Sequence, residues 1–120
     1  MPGDEIHCTP VAPTPEPPYT AVVFTARRSA DDGGYLDTAL QMVELAALQP
    51  GYLGIESVQD ARSGTEITVS YWTDEAQARA WKQVAEHVTA QRLGMLRWYS
   101  DYRVRVSTVV RDYGPPPACP

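Results

Sequence analysis

Proline placement constrains this chain more than any other feature. Of its eleven prolines, ten fall before residue 19 or after residue 114: Pro2, Pro10, Pro13, Pro15, Pro17 and Pro18 on one side, Pro115, Pro116, Pro117 and Pro120 on the other. Proline fixes φ and has no N–H to give, so it is excluded from helix interiors and central strands. A folded unit is therefore confined to residues 19–114, which is the length of one ordinary domain. Residues 1–18 read as a Pro-rich flexible tail and residues 115–120 as a Pro-rich C-terminal tail. The run TPVAPTPEPP at 9–18 favours extended polyproline II and reads as a spacer, because it lacks the basic flank of a Pro-rich ligand.

Between the tails, hydrophobic periodicity gives the elements. YTAVVFTARR, Tyr19 to Arg28, has the β-branched and aromatic density of a strand. Asp31-Asp32-Gly33-Gly34 breaks it and offers a cap. Leu36, Leu40, Val43 and Ala47 then form an apolar stripe on a helix running to about Leu48, and Pro50-Gly51 ends it. Tyr52–Val58 and Glu66–Trp72 are two strands joined through Ser63-Gly64 as a hairpin. Along the second of these, Ile67, Val69 and Tyr71 face one way and Thr68, Ser70 and Trp72 the other.

Asp74 with Gln77 three residues on has capping-box spacing, with Thr73 as the alternative cap. Ala78, Trp81, Ala85 and Val88 make the stripe of a second helix, interrupted at Gly94, and Met95–Tyr99 reads as a further helical turn. Glu75–Arg79 and Lys82–Glu86 pair on its wet face. Asp101–Arg111 alternates Tyr102, Val104, Val106, Thr108 and Val110 against Arg103, Arg105, Ser107, Val109 and Arg111, a last strand.

The order β-α-β-β-α-β predicts an α+β fold of ferredoxin-like type: an antiparallel sheet with both helices on one face. The other face lacks a cover, and an apolar sheet face in water predicts a homodimer. The two cysteines, Cys8 and Cys119, read as free thiols in the tails; because the first and last strands are antiparallel neighbours in this topology, a bridge between them is the sterically allowed alternative.

Charge excludes some partners. The domain holds all ten Lys and Arg and twelve of fifteen acids, a formal charge of 10 − 12 = −2. Nucleic acid is not the expected partner. No apolar run is long enough to span a bilayer, and MPGDEIHCTP has neither a basic nor an apolar leader region, so a cytoplasmic location and no membrane association are expected. There is no Gly-rich phosphate loop, no nucleophile elbow and no metal-ligating cluster of His and Cys.

Residues 52–111 resemble the antibiotic biosynthesis monooxygenase (ABM) domain family, a group of dimeric α+β barrels, and with the first strand and helix the likeness covers nearly all of 19–114. It rests on Gln49-Pro50-Gly51-Tyr52-Leu53-Gly54-Ile55-Glu56-Ser57, on Val69-Ser70-Tyr71-Trp72 before an acidic helix start, on Trp81-Lys82 and Ala85-Glu86-His87, and on Trp98-Tyr99-x-x-Tyr102-Arg103-Val104. The resemblance implies a homodimer with facing sheets and a small-molecule cavity between sheet and helices.

Two activities within the superfamily supply templates. Cofactor-free quinone-forming monooxygenases carry a Trp where Trp72 stands, an Asn where this chain has Thr68 and a Tyr where it has Ala78. Haem-degrading members carry a second Trp, matched by Trp81, and a helical His ligand, for which His87 is the candidate; their first-strand Asn is missing here. The resemblance thus implies a flat aromatic molecule oxidised or bound in an apolar pocket. Trp72 and Trp81 would shape that pocket, His87 would act as base, and Thr68, Tyr71, Tyr99 and Arg103 would contact substrate. The expected cofactor is none, with haem as the alternative. A non-catalytic small-molecule-binding barrel is the alternative to any enzyme. Each residue also has a plain structural role open to it: packing for the tryptophans, a hydrogen bond for the tyrosines, a solvated edge for Arg103, and for His87 a place flanking the second helix's stripe rather than within it.

Overall fold

A computed structural model describes residues 11–29, 35–91 and 99–115. Its elements are β1 (Tyr19–Arg28), α1 (Tyr35–Ala47), β2 (Tyr52–Asp60), β3 (Thr65–Trp72), α2 (Glu75–Gln91) and β4 (Tyr99–Val109). The four strands form one antiparallel sheet in the order β2-β3-β1-β4, the ferredoxin-like arrangement predicted from the element order. The start of β1 does meet the end of β4, with Tyr19 opposite Val109. Cys8, Cys119, the Asp31–Gly34 break and Gly94 lie outside the described residues.

The junctions follow from a few residues. Gly51 leaves α1 at φ 81°, a left-handed conformation that β-carbon sterics deny to most residues. A β-carbon there would also sit 2.6 Å from Gln77 Cγ and 2.7 Å from Thr73 Oγ1, so glycine lets the start of β2 lie against the start of α2. Thr73 N–H donates to Gly51 O at 2.9 Å across that joint. Asp74 is the helix cap, accepting Gln77 N–H at 2.9 Å. At the β2–β3 hairpin, Gly64 has φ 74°. Asp60 accepts from Ser63 Oγ–H (2.8 Å) and Arg62 N–H (3.3 Å), and the Ser63 bond, the larger cause, holds its carboxyl below the usual range.

Both helices cover the same sheet face. Ala46 of α1, Trp72 of β3 and Ala78 of α2 form the buried centre, with Val22, Tyr52 and Trp81 packed against it. On α2 the predicted stripe points inward: Ala78 is buried and Trp81, Ala85 and Val88 are half-buried. Its Glu75–Arg79 and Lys82–Glu86 pairs, at 2.9 and 3.4 Å, lie in solvent.

Two expectations need correction. The α1 stripe is rotated: Leu40 (57% exposed), Val43 and Ala47 face solvent, while Ala46 is buried and Ala39 and Met42 half-buried. Ala46 is the α1 residue packed in the core with the fully buried indole of Trp72, and Met42 and Leu45 are half-buried to either side. Tyr99 is not in a helical turn but opens β4, opposite Arg28; residues 95–98 lie outside the described residues. Among the described residues, no helix is long and apolar enough to cross a membrane.

Candidate functional site

Strand register assigns each candidate residue to a sheet face. Residues directly opposite one another share a face. On the helix side, one row reads Ser57, Thr68, Phe24, Val104, and the next Ile55, Ser70, Val22, Val106. A third reads Gln59, Glu66, Ala26, Tyr102. The opposite, open side carries Glu56, Val69, Val23, Arg105 and then Val58, Ile67, Thr25, Arg103.

The predicted set therefore divides. Trp72 and Thr68 stand on the helix side, and Trp81 descends onto it from α2. Tyr71 and Arg103 lie on the far side of the sheet, so within one protomer neither shares a cavity with the tryptophans. His87 is exposed on α2, and the side chain of Tyr99 lies outside the described residues.

The tryptophans form a pair. Their ring centroids are 5.8 Å apart with planes 23° from parallel, a stacked geometry. Tyr52 meets the Trp72 ring edge-on at 5.8 Å. Trp72 is fully buried, and its Nε1–H donates to Ser70 Oγ at 2.9 Å. The half-buried Trp81 is the partner left with surface to offer a ligand.

The helix side is not covered evenly. The main contacts of α1 are with β2, and those of α2 are with β1 and β3. Along β4, Tyr102 and Val104 (both 41%) and Val106 (52%) remain exposed although they share a face with the core. Phe24 lies beside them, its ring 5.9 Å from that of Tyr102. The result is an exposed apolar floor along β1 and β4 on the sheet face against which Trp81 packs. Its polar edge is the hydroxyl pair Ser57 Oγ and Thr68 Oγ1, 2.8 Å apart, where either can donate. Phe24, Val104 and Val106 were not singled out from the sequence. The alternation of β4 already held the signal, since it places Val104 and Val106 opposite Arg103 and Arg105.

The open side carries a second arrangement. Glu56 accepts the phenol of Tyr71 (2.8 Å) and the N–H of Ala12 (2.9 Å). Asp112 accepts Thr14 Oγ1–H at 3.2 Å and the Tyr19 hydroxyl at short range. Burial and, next, the Glu56 bond push the Tyr71 phenol up to about 12. Tyr19 is also raised, chiefly by its bond to Asp112. Residues of the N-terminal segment thus lie against this face. Gly54 was the sequence signal for it: a lone glycine inside a strand marks close backbone approach, and a β-carbon there would stand 2.8 Å from Ala12 Cβ. A concavity lined by Val58, Asp60, Thr65 and Ile67 lies at the hairpin end and is open to solvent.

Haem can be weighed against these residues. An iron ligand must present its imidazole inside an apolar cavity. His87 lies on the exposed face of α2, which places it poorly for that task. No group of His, Cys, Asp and Glu able to hold a metal ion occurs among the described residues.

Comparison with known proteins agrees with this fold. Residues 18–93 match the family described as antibiotic biosynthesis monooxygenase. The uncharacterized protein YqjZ of Bacillus subtilis is 50% identical over 99 residues, covering 82% of this chain and 86% of that one. Among solved structures, the NE2512 protein of unknown function from Nitrosomonas europaea superposes with TM-score 0.65 at 14% identity, over 85% of this chain and 99% of that one. PA3566 from Pseudomonas aeruginosa gives 0.62 at 16%, over 83% and 100%. SnoaB, a cofactor-independent oxygenase from Streptomyces nogalater, gives 0.62 at 14%, over 78% and 95%. At such identities the structural likeness speaks for the fold alone.

Proposed function

Because this chain belongs to the antibiotic biosynthesis monooxygenase family, we propose that it is a small monooxygenase-like protein that takes up a flat aromatic molecule in a hollow over the apolar floor, on Trp81's side of the sheet. The observation that carries this reading is the uncovered apolar floor of Phe24, Tyr102, Val104 and Val106 on the sheet face that also carries the core. Such a floor favours a planar apolar ligand, and the Ser57–Thr68 pair gives it one polar edge to orient against. Trp72 acts from behind, fixing the plane of Trp81 by stacking.

The chemistry proposed for such a site needs no resident cofactor. A phenol that has lost its proton can pass one electron to dioxygen, and recombination of the two radicals forms the carbon–oxygen bond. The floor is 41–52% exposed along β4, so keeping water from the radicals requires that the bound molecule or a second copy close over it. A hydroxyl of Thr68 or Ser57 would donate to the phenolate oxygen. His87, the base expected from the resemblance, is exposed on α2, so the phenol's proton would reach it only by way of solvent. Arg103 and Tyr71 have no part within the same protomer, since the sheet stands between them and the hollow.

A second copy is proposed to cover the open face, where Val58 (67%) and Ile67 (39%) are exposed on a strand surface. One observation favours a binding module without catalysis. The position that carries a Tyr in cofactor-free enzymes is Ala78, which is small and buried against the core and brings no hydroxyl.

The test is a titration of tryptophan fluorescence with a panel of dihydroxyaromatic compounds, run beside an oxygen electrode. Saturable quenching is expected, at least about tenfold weaker in Val106→Glu, because a charge on the floor opposes an apolar ligand. Quenching with oxygen uptake supports the oxygenase, and quenching without it supports the binding module. No quenching across the panel would overturn the site.

A further inference from the structure

The N-terminal segment reads from sequence as a spacer, yet part of it is held against the sheet. Ala12 gives its N–H to Glu56 on β2, and Thr14 gives its hydroxyl to Asp112 beyond β4, so the segment is tied to opposite edges of the sheet. Thr14 N–H also bonds Ala12 O at 3.1 Å, which closes a local turn. Beneath it, Tyr19, Ala21 and Gly54 are buried on the face the helices do not cover. The Tyr19 and Tyr71 rings meet edge-on at 6.0 Å under this cover, each hydroxyl bonded to one of the two anchoring carboxylates. Further along the same face the cover stops, and Val58, Ile67, Arg103 and Arg105 are exposed.

We propose that residues 11–18 form a strap that occupies one end of the open sheet face and holds a second copy of the chain off that end. This rests on the sheet-to-sheet pairing proposed above and says how that pairing is limited. Sheets packed face to face stand about 10 Å apart, a gap their own side chains fill. A further stretch of backbone cannot share that gap, so a partner sheet closes over Val23, Val58 and Ile67 and stops at the strap. Freeing the strap opens Tyr19, Ala21 and Tyr71 to the partner, and the larger apolar contact holds the two copies more tightly. Gly54 is the contact point. Glu56 is the catch, because it grips the strap and the sheet's own Tyr71 with its two oxygens.

The test uses two substitutions in the full chain. Ala12→Pro removes the N–H that Glu56 accepts, in a segment already rich in proline. Gly54→Ala places a methyl against Ala12 Cβ. Nitration of Tyr19 and Tyr71, located by mass spectrometry and run at a dilution where parent and variants are monomeric so that no partner covers these rings, reports strap release; sedimentation equilibrium at higher concentration reports association. Both variants are expected to nitrate faster and to dimerise about tenfold more tightly than the parent. Faster nitration with unchanged or weaker association overturns the strap's role and leaves the dimer standing. Unchanged nitration in both variants overturns it as well, since the segment is then not held by these contacts. A parent and variants that all stay monomeric at several hundred micromolar overturn both the strap and the pairing it depends on.

Discussion

Trp72 shows how much a single residue settles here. It has no solvent exposure, its one polar hydrogen is taken by Ser70, and its ring is contacted by Trp81 and Tyr52. Trp72→Phe leaves a void and an unsatisfied buried Ser70 hydroxyl, and we expect a loss of about 2–4 kcal/mol in urea unfolding. Trp81→Phe, at a half-buried position, should lose less. Tyr71 makes a prediction of opposite character. Its folded pKa, about 12, lies above the ordinary value of 10.0 for a phenol. The folded state therefore holds this proton more tightly than the unfolded chain does. The stability it contributes is complete below pH 10 and is lost as pH rises toward 12. Denaturant midpoints should fall across that window in the parent, and the fall should be shallower in Tyr71→Phe. An equal fall in both would mean that other groups, Tyr19 among them, govern the alkaline limb.

At the scale of elements, the joint between β2 and α2 is the most exacting. Asp74→Ala removes one cap bond and should destabilise by about 0.5–2 kcal/mol. Gly51→Ala has two penalties, a left-handed φ and contacts under 3 Å to Gln77 and Thr73, and should exceed it, at about 2–4 kcal/mol. Thermal melts of the two variants side by side decide the order. This joint was legible in sequence because caps and glycines act locally: Pro50-Gly51 marked one side and Asp74-x-x-Gln77 the other. The strands were legible in local composition and alternation, and β1 runs from Tyr19 to Arg28 as its β-branched and aromatic density indicated. Where sequence reasoning failed, the deciding contact was distant. The stripe Leu40, Val43, Ala47 has good helical spacing, but Ala46 is the residue that faces Trp72, twenty-six positions away, and periodicity cannot see the size of a partner. The grouping of Arg103 and Tyr71 with the tryptophans failed differently. Family likeness supplied residue types, and only strand register shows which face of the sheet each one occupies.

For the whole molecule, the sheet separates two surfaces that sequence alone cannot hold apart, because adjacent residues of one strand alternate between them. β3 places Ile67 on the open face beside Thr68 on the helix side, and β4 places Arg105 beside Val104 and Val106. The proposals of ligand uptake on one side and a second copy on the other therefore make independent claims, and paired substitutions can test them independently. Ile67→Glu puts a charge into the apolar part of the open face, where a partner sheet would strip it of water, so sedimentation should show a mostly monomeric protein. Its fluorescence response to an aromatic ligand should persist, since the charge never reaches the helix side. Val104→Glu does the reverse: the dimer should survive and the ligand response should fall. If either substitution abolishes both properties while circular dichroism reports an intact fold, the two faces are coupled. The hollow would then depend on the partner for its shape, and a single protomer would not be the functional unit.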